Sequence, residues 1–306
     1  MKNKIAIVAG EPFSVNSEII AKSWKKIKNK YKKKIFIIGN YLLIKNKFKK
    51  LQINLPLEKI NTVNSTPNSK NLKILNINNN SKYVINCLNK AHELSNKKKI
   101  KGFINCSIDK KVFKSNFGVT EFLERKNNKK DALVMLIYNN KFSVSPITTH
   151  ISIKNVSKKL NKNLIEKKVQ IINDFYINFF KKKPTIAVLG LNPHNDEVKP
   201  GSEERRFIIP AIKKLKQKKY KIIGPLPADT AFLNKKKYKY DVIVGMYHDQ
   251  VLAPFKALYG FDAINITLGL NYLRISPDHG TATDIFGQNK ANPLSLIKAI
   301  DFIFKV

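Results

Sequence analysis

The chain has 306 residues, 43% hydrophobic and 26% charged, enough to bury a sizeable core in one large α/β unit or two lobes. Its net charge of +37 comes from 58 basic against 21 acidic residues, but only Arg125, Arg205, Arg206 and Arg274 are arginine. Lysine scattered among Asn and Ile reads as solvated faces rather than a nucleic-acid groove, whose readers favour Arg forks and stacked aromatics, and no apolar run is long enough to span a bilayer.

Lys4–Ala9 predicts a first strand that turns at Gly10, so the opening MKNKIAIVAGEP does not read as a signal peptide. Glu18–Lys28 predicts an amphipathic helix and Lys34–Gly39 a second strand. Residues 44–80, rich in Lys and Asn, are expected to be a weakly structured surface region. Tyr83–Leu94 predicts a helix, with His92 as a solvated flank residue, and Gly102–Cys106 a short strand. Cys87 and Cys106 offer neither a CxxC motif nor a disulfide framework, which points to a reducing cytoplasm. Leu133–Tyr138 and Phe142–Pro146 predict two strands joined by the turn Asn139–Asn140, followed by a long helix over Leu164–Phe180. Strands at Thr185–Leu189, Lys221–Ile223 and Asp241–Gly245 follow, with a helix at Glu204–Lys218 between the first two. Ala263–Leu268 and a helix near Pro293–Phe304 close the chain. Alternating strands and helices predict an α/β fold with a mostly parallel sheet. No GxGxxG opens a helix, so a Rossmann fingerprint is not supported.

Three of the five histidines follow β-branched apolar runs: His150 in VSPITTH, His194 in TIAVLGLNPH and His248 in VIVGMYHDQ. Loops at the carboxyl ends of parallel strands converge on a ligand crevice. Three imidazoles delivered there suit one divalent metal with an open coordination position. Each alone is more readily a hydrogen-bonded loop residue than a ligand. Asp249, beside His248, is placed to orient that imidazole or to take up a proton. Asp229 in GPLPADTAF reads equally as a helix N-cap and as a site residue. Arg274, an arginine in a chain that otherwise uses lysine, implies a need for the planar fork, either on a carboxylate or phosphate or in a structural ion pair. In SPDHGTATDIFG, His279, Thr281 and Asp284 offer polar edges, and Gly280 allows close backbone approach.

Together GLNPHNDE, GPLPADTAF, MYHDQVLAPFKALYGF, NITLGLNYLR and SPDHGTATDIFG resemble, in order, the blocks of the 4-hydroxythreonine-4-phosphate dehydrogenase family. TTHISIKNV, GVTEFLER and KIAIVAGEP resemble three earlier blocks, and HGTATDIFGQNKANPLSLIKAI is also similar to the cofactor loop of isopropylmalate dehydrogenases. The resemblance implies an isocitrate/isopropylmalate-dehydrogenase-like fold of two α/β/α lobes with the active site in the cleft. The expected lobes are residues 1–115 with 268–306 on the cofactor side, and 116–267 on the metal, substrate and dimer side. It further implies a homodimer with a shared site. His150, His194 and His248 would hold one divalent ion per subunit (zinc, magnesium or cobalt). Thr120, Lys256, Asn265 and Arg274 would bind substrate, and His279, Gly280, Thr281, Asp284 and Asn292 would bind NAD or NADP. Two departures stand out. Val119 occupies the position of a family histidine, and Ser14 and Asn16 stand where glycines are usual.

The implied reaction is oxidation of 4-phosphooxy-L-threonine to its 3-oxo acid, which decarboxylates to 3-amino-2-oxopropyl phosphate on the route to pyridoxal phosphate. Asp249, Asp229 and Lys256 are the candidate bases. Alternatives are a dehydrogenase for another phosphorylated hydroxy acid, such as a four-carbon sugar-acid phosphate, a metal-dependent hydrolase, and a nucleic-acid-binding module.

Overall fold

Runs of β-branched and apolar residues become buried strands, as a parallel sheet covered by helices requires. The computed structural model describes residues 4–63, 70–113, 118–128, 131–233, 239–260 and 262–305. It divides into two compact units: Met1–Asn116, Phe261–Asn265 and Leu270–Val306 form the first, Phe117–Gly260 and Ile266–Gly269 the second. The expected boundary at 115–116 lies outside the described residues.

In chain order the first unit supplies β1 (Ile5–Val8), α1 (Asn16–Lys26), α2 (Asn29–Lys32), β2 (Ile35–Gly39), α3 (Tyr41–Lys50), β3 (Leu57–Ile60), β4 (Leu72–Asn76), α4 (Tyr83–Asn96) and β5 (Gly102–Asn105). The second supplies α5 (Val119–Lys126), β6 (Val134–Tyr138), β7 (Ser143–Pro146), α6 (Val156–Lys159), α7 (Lys162–Phe180) and β8 (Thr185–Leu189). It continues through α8 (Ile209–Gln217), β9 (Lys221–Leu226), α9 (Ala228–Ala231), β10 (Val242–Gly245) and α10 (His248–Tyr259). β11 (Ile264–Leu268) divides between the units, and the first unit ends with β12 (Leu273–Pro277) and α11 (Leu294–Lys305).

Within the first unit the described strands run β3-β4-β2-β1-β5-β12, parallel from Leu57↔Leu72 through to Leu273↔Gly102. The chain passes from β1 to β2 on one side and later to β5 on the other, which makes the carboxyl edge between β1 and β5 a topological switch point. Within the second unit the order is β6-β7-β10-β8-β9, parallel apart from the β6–β7 hairpin. That hairpin turns at Asn139, whose side-chain oxygen accepts from the backbone N–H of Lys141 at 2.8 Å and Phe142 at 3.0 Å. α7 begins where Asn161 accepts from the Leu164 N–H at 2.9 Å, and it buries Leu164, Ile165, Val169, Ile172 and Phe175 at helical spacing. Truncating Ile172, fully buried, to Ala would cost about 2–5 kcal/mol.

Residues 44–80 correct the expectation of weak structure. Tyr41–Lys50 form α3 with Ile44 and Phe48 buried one turn apart, and β3 and β4 pair in parallel with Leu72 and Ile74 fully buried. The few apolar residues sit at the right spacing, and Lys and Asn occupy the solvated faces; residues 64–69 lie outside the described chain. Several elements go beyond the sequence expectation, β12 and α10 among them. Arg274 interrupts the apolar run of β12, and Pro254 lies inside α10. The helix expected over Glu204–Lys218 starts with a π turn at Glu204–Ile208, because Pro210 has no N–H to give the regular ladder. His92 is half-buried rather than solvated: its Nδ1 pairs with the Tyr272 hydroxyl at 2.8 Å.

Candidate active site

β7, β10 and β8 are neighbours, and each sends one of the three histidines from its carboxyl end: His150, His248 and His194. Parallel neighbours stand about 4.8 Å apart, so the second unit gathers all three imidazole-bearing loops on one edge of its sheet. Two of the three histidines adopt left-handed backbone, His150 at φ 40° and His194 at φ 51°. His194 opens a left-handed run that continues through Asn195, Asp196, Glu197 and Val198, with φ between 47° and 59°. Such residues cost roughly 1–2 kcal/mol each, and strain of this kind concentrates at functional sites.

The His150 and His248 rings stand 6.0 Å apart between centroids. Each Nδ1 meets a carboxylate, Glu121 Oε1 at 2.9 Å for His150 and Asp249 Oδ1 at 2.7 Å for His248. A carboxylate oxygen can only accept, so both rings donate from Nδ1, which leaves Nε2 as the atom presented to a ligand. That donor chemistry fits a divalent ion. Among the described residues, however, no group of three or more His, Cys, Asp and Glu side chains could hold a metal within one chain. His194, exposed on its left-handed loop, does not join the other two in a single copy.

Burial would raise the Glu121 carboxyl. The hydrogen bond and charge of His150, with the backbone N–H groups of Glu121 and Gly118, outweigh it and hold the group at about 2.

Sequence reasoning missed the residues that fasten these loops. Gln250 is buried; its Oε1 accepts from the Met246 N–H at 2.6 Å and its Nε2 donates to the Gly190 carbonyl at 2.8 Å. Glu204 is fully buried; its Oε1 accepts from the backbone N–H of Leu191 at 2.7 Å and Asn192 at 2.9 Å, and its Oε2 from the Asn192 amide at 3.0 Å. Thr148 Oγ1 donates to the Met246 carbonyl at 2.7 Å, tying the His150 loop to the His248 loop. A Cβ on Gly190 would stand 2.1 Å from Asn195 Oδ1, so a larger residue there would displace that side chain. The only sequence signals were Gln250 inside MYHDQ and Glu121 three residues after Gly118, the capping spacing.

Thr120 and Val119 open α5, with Gly118 as its N-cap. Lys256 lies on α10, two turns beyond His248. Asp229 is not the N-cap of α9; Pro227 is, and Asp229 sits in the first turn with Oδ1 accepting from the Thr230 N–H at 2.8 Å.

In the first unit an open cleft of about 410 Å³ is lined by Glu11, Phe13, Asp109, Lys111, Val112, Thr281 and Thr283. These residues follow β1, β5 and β12, so the cleft lies at the switch point. Behind it, the segments after β1 and β5 are tied together: Asn16 Nδ2 donates to the Ser107 carbonyl at 2.8 Å, and Ser107 Oγ donates to Asn16 Oδ1 at 2.7 Å. A Cβ on Gly10, at φ 74°, would stand 2.4 Å from the same carbonyl. Arg274 is 3% exposed, and its Nε donates to Asn105 Oδ1 at 2.7 Å. Asn265 Oδ1 and His279 Nε2 are buried polar atoms without a hydrogen-bond partner. Burial lowers the His279 pKa against the Gly280 carbonyl, which accepts from Nδ1 at 3.0 Å, so the ring is held neutral. A Cβ on Gly280 would only touch the Ala282 nitrogen, at 3.9 Å, and the Thr281 carbonyl accepts from the Val15 N–H at 3.1 Å. Asp284 is exposed, and Asn292 Oδ1 accepts from the Leu294 N–H at 3.0 Å at the start of α11. The cleft-lining carboxylates of Glu11 and Asp109, as acceptors for ribose hydroxyls, suit a nucleotide cofactor.

A family model described as pyridoxal phosphate biosynthetic protein PdxA matches residues 31–303. The chain belongs to that family. It is 37% identical over 315 aligned positions to a 4-hydroxythreonine-4-phosphate dehydrogenase of Sulfurihydrogenibium sp. (strain YO3AOP1), covering 97% of this chain and 96% of the relative. It superposes on the crystal structure of the 4-hydroxythreonine-4-phosphate dehydrogenase of Klebsiella pneumoniae with a TM-score of 0.86 at 27% identity, covering 100% and 98% of the two chains. The isocitrate dehydrogenase of Methylococcus capsulatus shares the fold, with a TM-score of 0.55 at 11% identity over 99% and 85%. The family member described here therefore has the expected isocitrate-dehydrogenase-like α/β fold.

Proposed function

We propose that this family member oxidises 4-phosphooxy-L-threonine with NAD or NADP and one divalent ion (zinc, magnesium or cobalt) per subunit, on the route to pyridoxal phosphate. The single observation that carries this reading is the departure of His150, His248 and His194 from three adjacent parallel strands, with two rings 6.0 Å apart and Nε2 as the atom each presents to a ligand. The name shared by the full-length relatives supports the substrate.

His150, His194 and His248 would hold the ion, which when bound supplies a Lewis acid for the substrate's secondary hydroxyl. NAD or NADP, when bound, would supply the hydride acceptor for the hydroxyl-bearing carbon while the hydroxyl proton passes to a base, giving ketone, reduced cofactor and a proton. The resulting 3-oxo acid then loses carbon dioxide to give 3-amino-2-oxopropyl phosphate. Asp249 is engaged with the His248 Nδ1, so its role is to orient that ring, and Asp229 and Lys256 are the groups assigned to take the proton. Thr120, Lys256, Asn265 and Arg274 are assigned to the phosphate and carboxylate of the substrate. His279, Gly280, Thr281, Asp284 and Asn292 are assigned to the cofactor.

The site is proposed to be completed in a homodimer. The apolar residues Ile151, Ile153, Val198 and Leu233 are exposed on the unit that bears the histidines, which supports a protein-covered surface there. The buried free thiols of Cys87 and Cys106 accord with a cytoplasmic setting. No described helix is long and apolar enough to cross a membrane.

Val119 favours a second reading, a related dehydrogenase acting on another phosphorylated hydroxy acid. Reduced-cofactor absorbance with 4-phosphooxy-L-threonine beside a four-carbon sugar-acid phosphate separates the two. The first reading expects turnover of the threonine derivative in preference, and turnover of the sugar acid alone would overturn it.

A further inference from the structure

Glu121 has no role in the proposed chemistry, yet it is the most connected carboxylate around His150. Its side chain is 17% exposed. Oε1 accepts from His150 Nδ1 at 2.9 Å and from Thr149 Oγ1 at 3.3 Å, and Oε2 accepts from the Gly118 N–H at 2.9 Å. One carboxylate therefore joins two segments: the start of α5, where Val119 and Thr120 lie, and the loop that carries His150. The fit is close, since a Cβ on Gly118 would meet Glu121 Oε2 at 3.2 Å and His150 Cε1 at 3.5 Å.

We infer that Glu121 is a positioning residue for metal binding: it holds the proton on His150 Nδ1, presents Nε2 as the ligating atom, and locks this presentation to the start of α5. The inference rests on the reading of His150 as a metal ligand. His150 is at φ 40°, where the backbone alone does not settle the ring, so the fixed hydrogen bond does. A neutral amide cannot replace the carboxylate. Gln offers one acceptor and one donor where three donors converge on two acceptors. With its oxygen toward Gly118, its amino group faces His150 and favours the opposite tautomer, with the proton on Nε2.

The test uses the purified full-length protein, stripped of metal and titrated with zinc against a chromophoric chelator. Glu121→Gln, Glu121→Asp and His150→Ala are compared with the parent chain. Nitrogen-15 spectra of the metal-free histidines report the His150 tautomer, a signature that a merely structural role would not move. The expected result is zinc affinity weakened about tenfold to a hundredfold in Glu121→Gln, with the proton displaced from Nδ1 and the melting temperature of the metal-free protein little changed. Glu121→Asp, which keeps the charge but shortens the reach, is expected to fall between and serves if the Gln variant does not fold. Parental affinity and tautomer in the Glu121 variants, with zinc binding lost in His150→Ala, would overturn the role of Glu121 alone. Parental zinc affinity in His150→Ala would overturn the metal reading as well.

Discussion

Gln250 Nε2 donates to the backbone carbonyl of Gly190 at 2.8 Å, so a side chain two residues beyond His248 holds the turn that leads to His194. The same side chain accepts from the buried Met246 N–H, and thus two histidine loops share one amide. Gln250→Leu would leave that N–H and that carbonyl without their partners. The expected cost is about 2–6 kcal/mol, from two orphaned backbone groups at roughly 1–3 each, read by urea denaturation. Zinc affinity is expected to fall with it.

Glu204 makes a comparable prediction for the loop itself. Glu204→Ala removes the acceptor from two backbone N–H groups and one amide. A loss of about 2–4 kcal/mol is expected, with faster amide hydrogen exchange at Leu191 and Asn192 and little change at β9.

Val119 tests the substrate pocket. Val119→His adds a hydrogen-bond donor beside Thr120, and a lower KM for 4-phosphooxy-L-threonine at similar kcat is expected. An unchanged or raised KM would favour the second reading of the substrate.

Lys168 gives a pH dependence of stability. Its ammonium is buried on α7 and donates to the Ile147 carbonyl at 2.7 Å. Burial brings its pKa down to about 8, against partial support from Glu124 and Asp131, whereas in the unfolded chain it titrates near ~10.4. Below about 8 both states carry the proton and the contribution is flat. Between about 8 and ~10.4 the unfolded chain binds more protons at this site, so stability rises with pH. Urea midpoints of the wild type relative to Lys168→Met should therefore climb across that window. Parallel pH profiles would contradict the assignment.

Much of the sheet was legible because parallel strands buried on both faces are written as short β-branched runs, as in Ile186–Leu189 and Val242–Val244. The same runs located His150, His194 and His248, since a polar residue just after such a run must lie at the carboxyl edge. Residues 44–80 were illegible because α3 buries only Ile44 and Phe48 under a lysine-rich face. β12 was hidden because Arg274 is buried by its bond to Asn105, a contact 169 residues away in sequence. Glu121, Glu204 and Gln250 escaped for a similar reason. Their value lies in which backbone groups they meet, and pairings of this kind, up to 60 residues apart for Gln250 and Gly190, leave no local pattern.

The central claim is that three imidazoles from adjacent strands hold one divalent ion needed for turnover, and metal analysis of His194→Ala tests it most directly. The account predicts about one ion per protomer in the parent protein and cofactor reduction that a chelator abolishes. It predicts loss of both ion and turnover in the variant, with an unchanged circular dichroism spectrum. A His194→Ala protein that keeps its metal and reduces cofactor at the parental rate would contradict it.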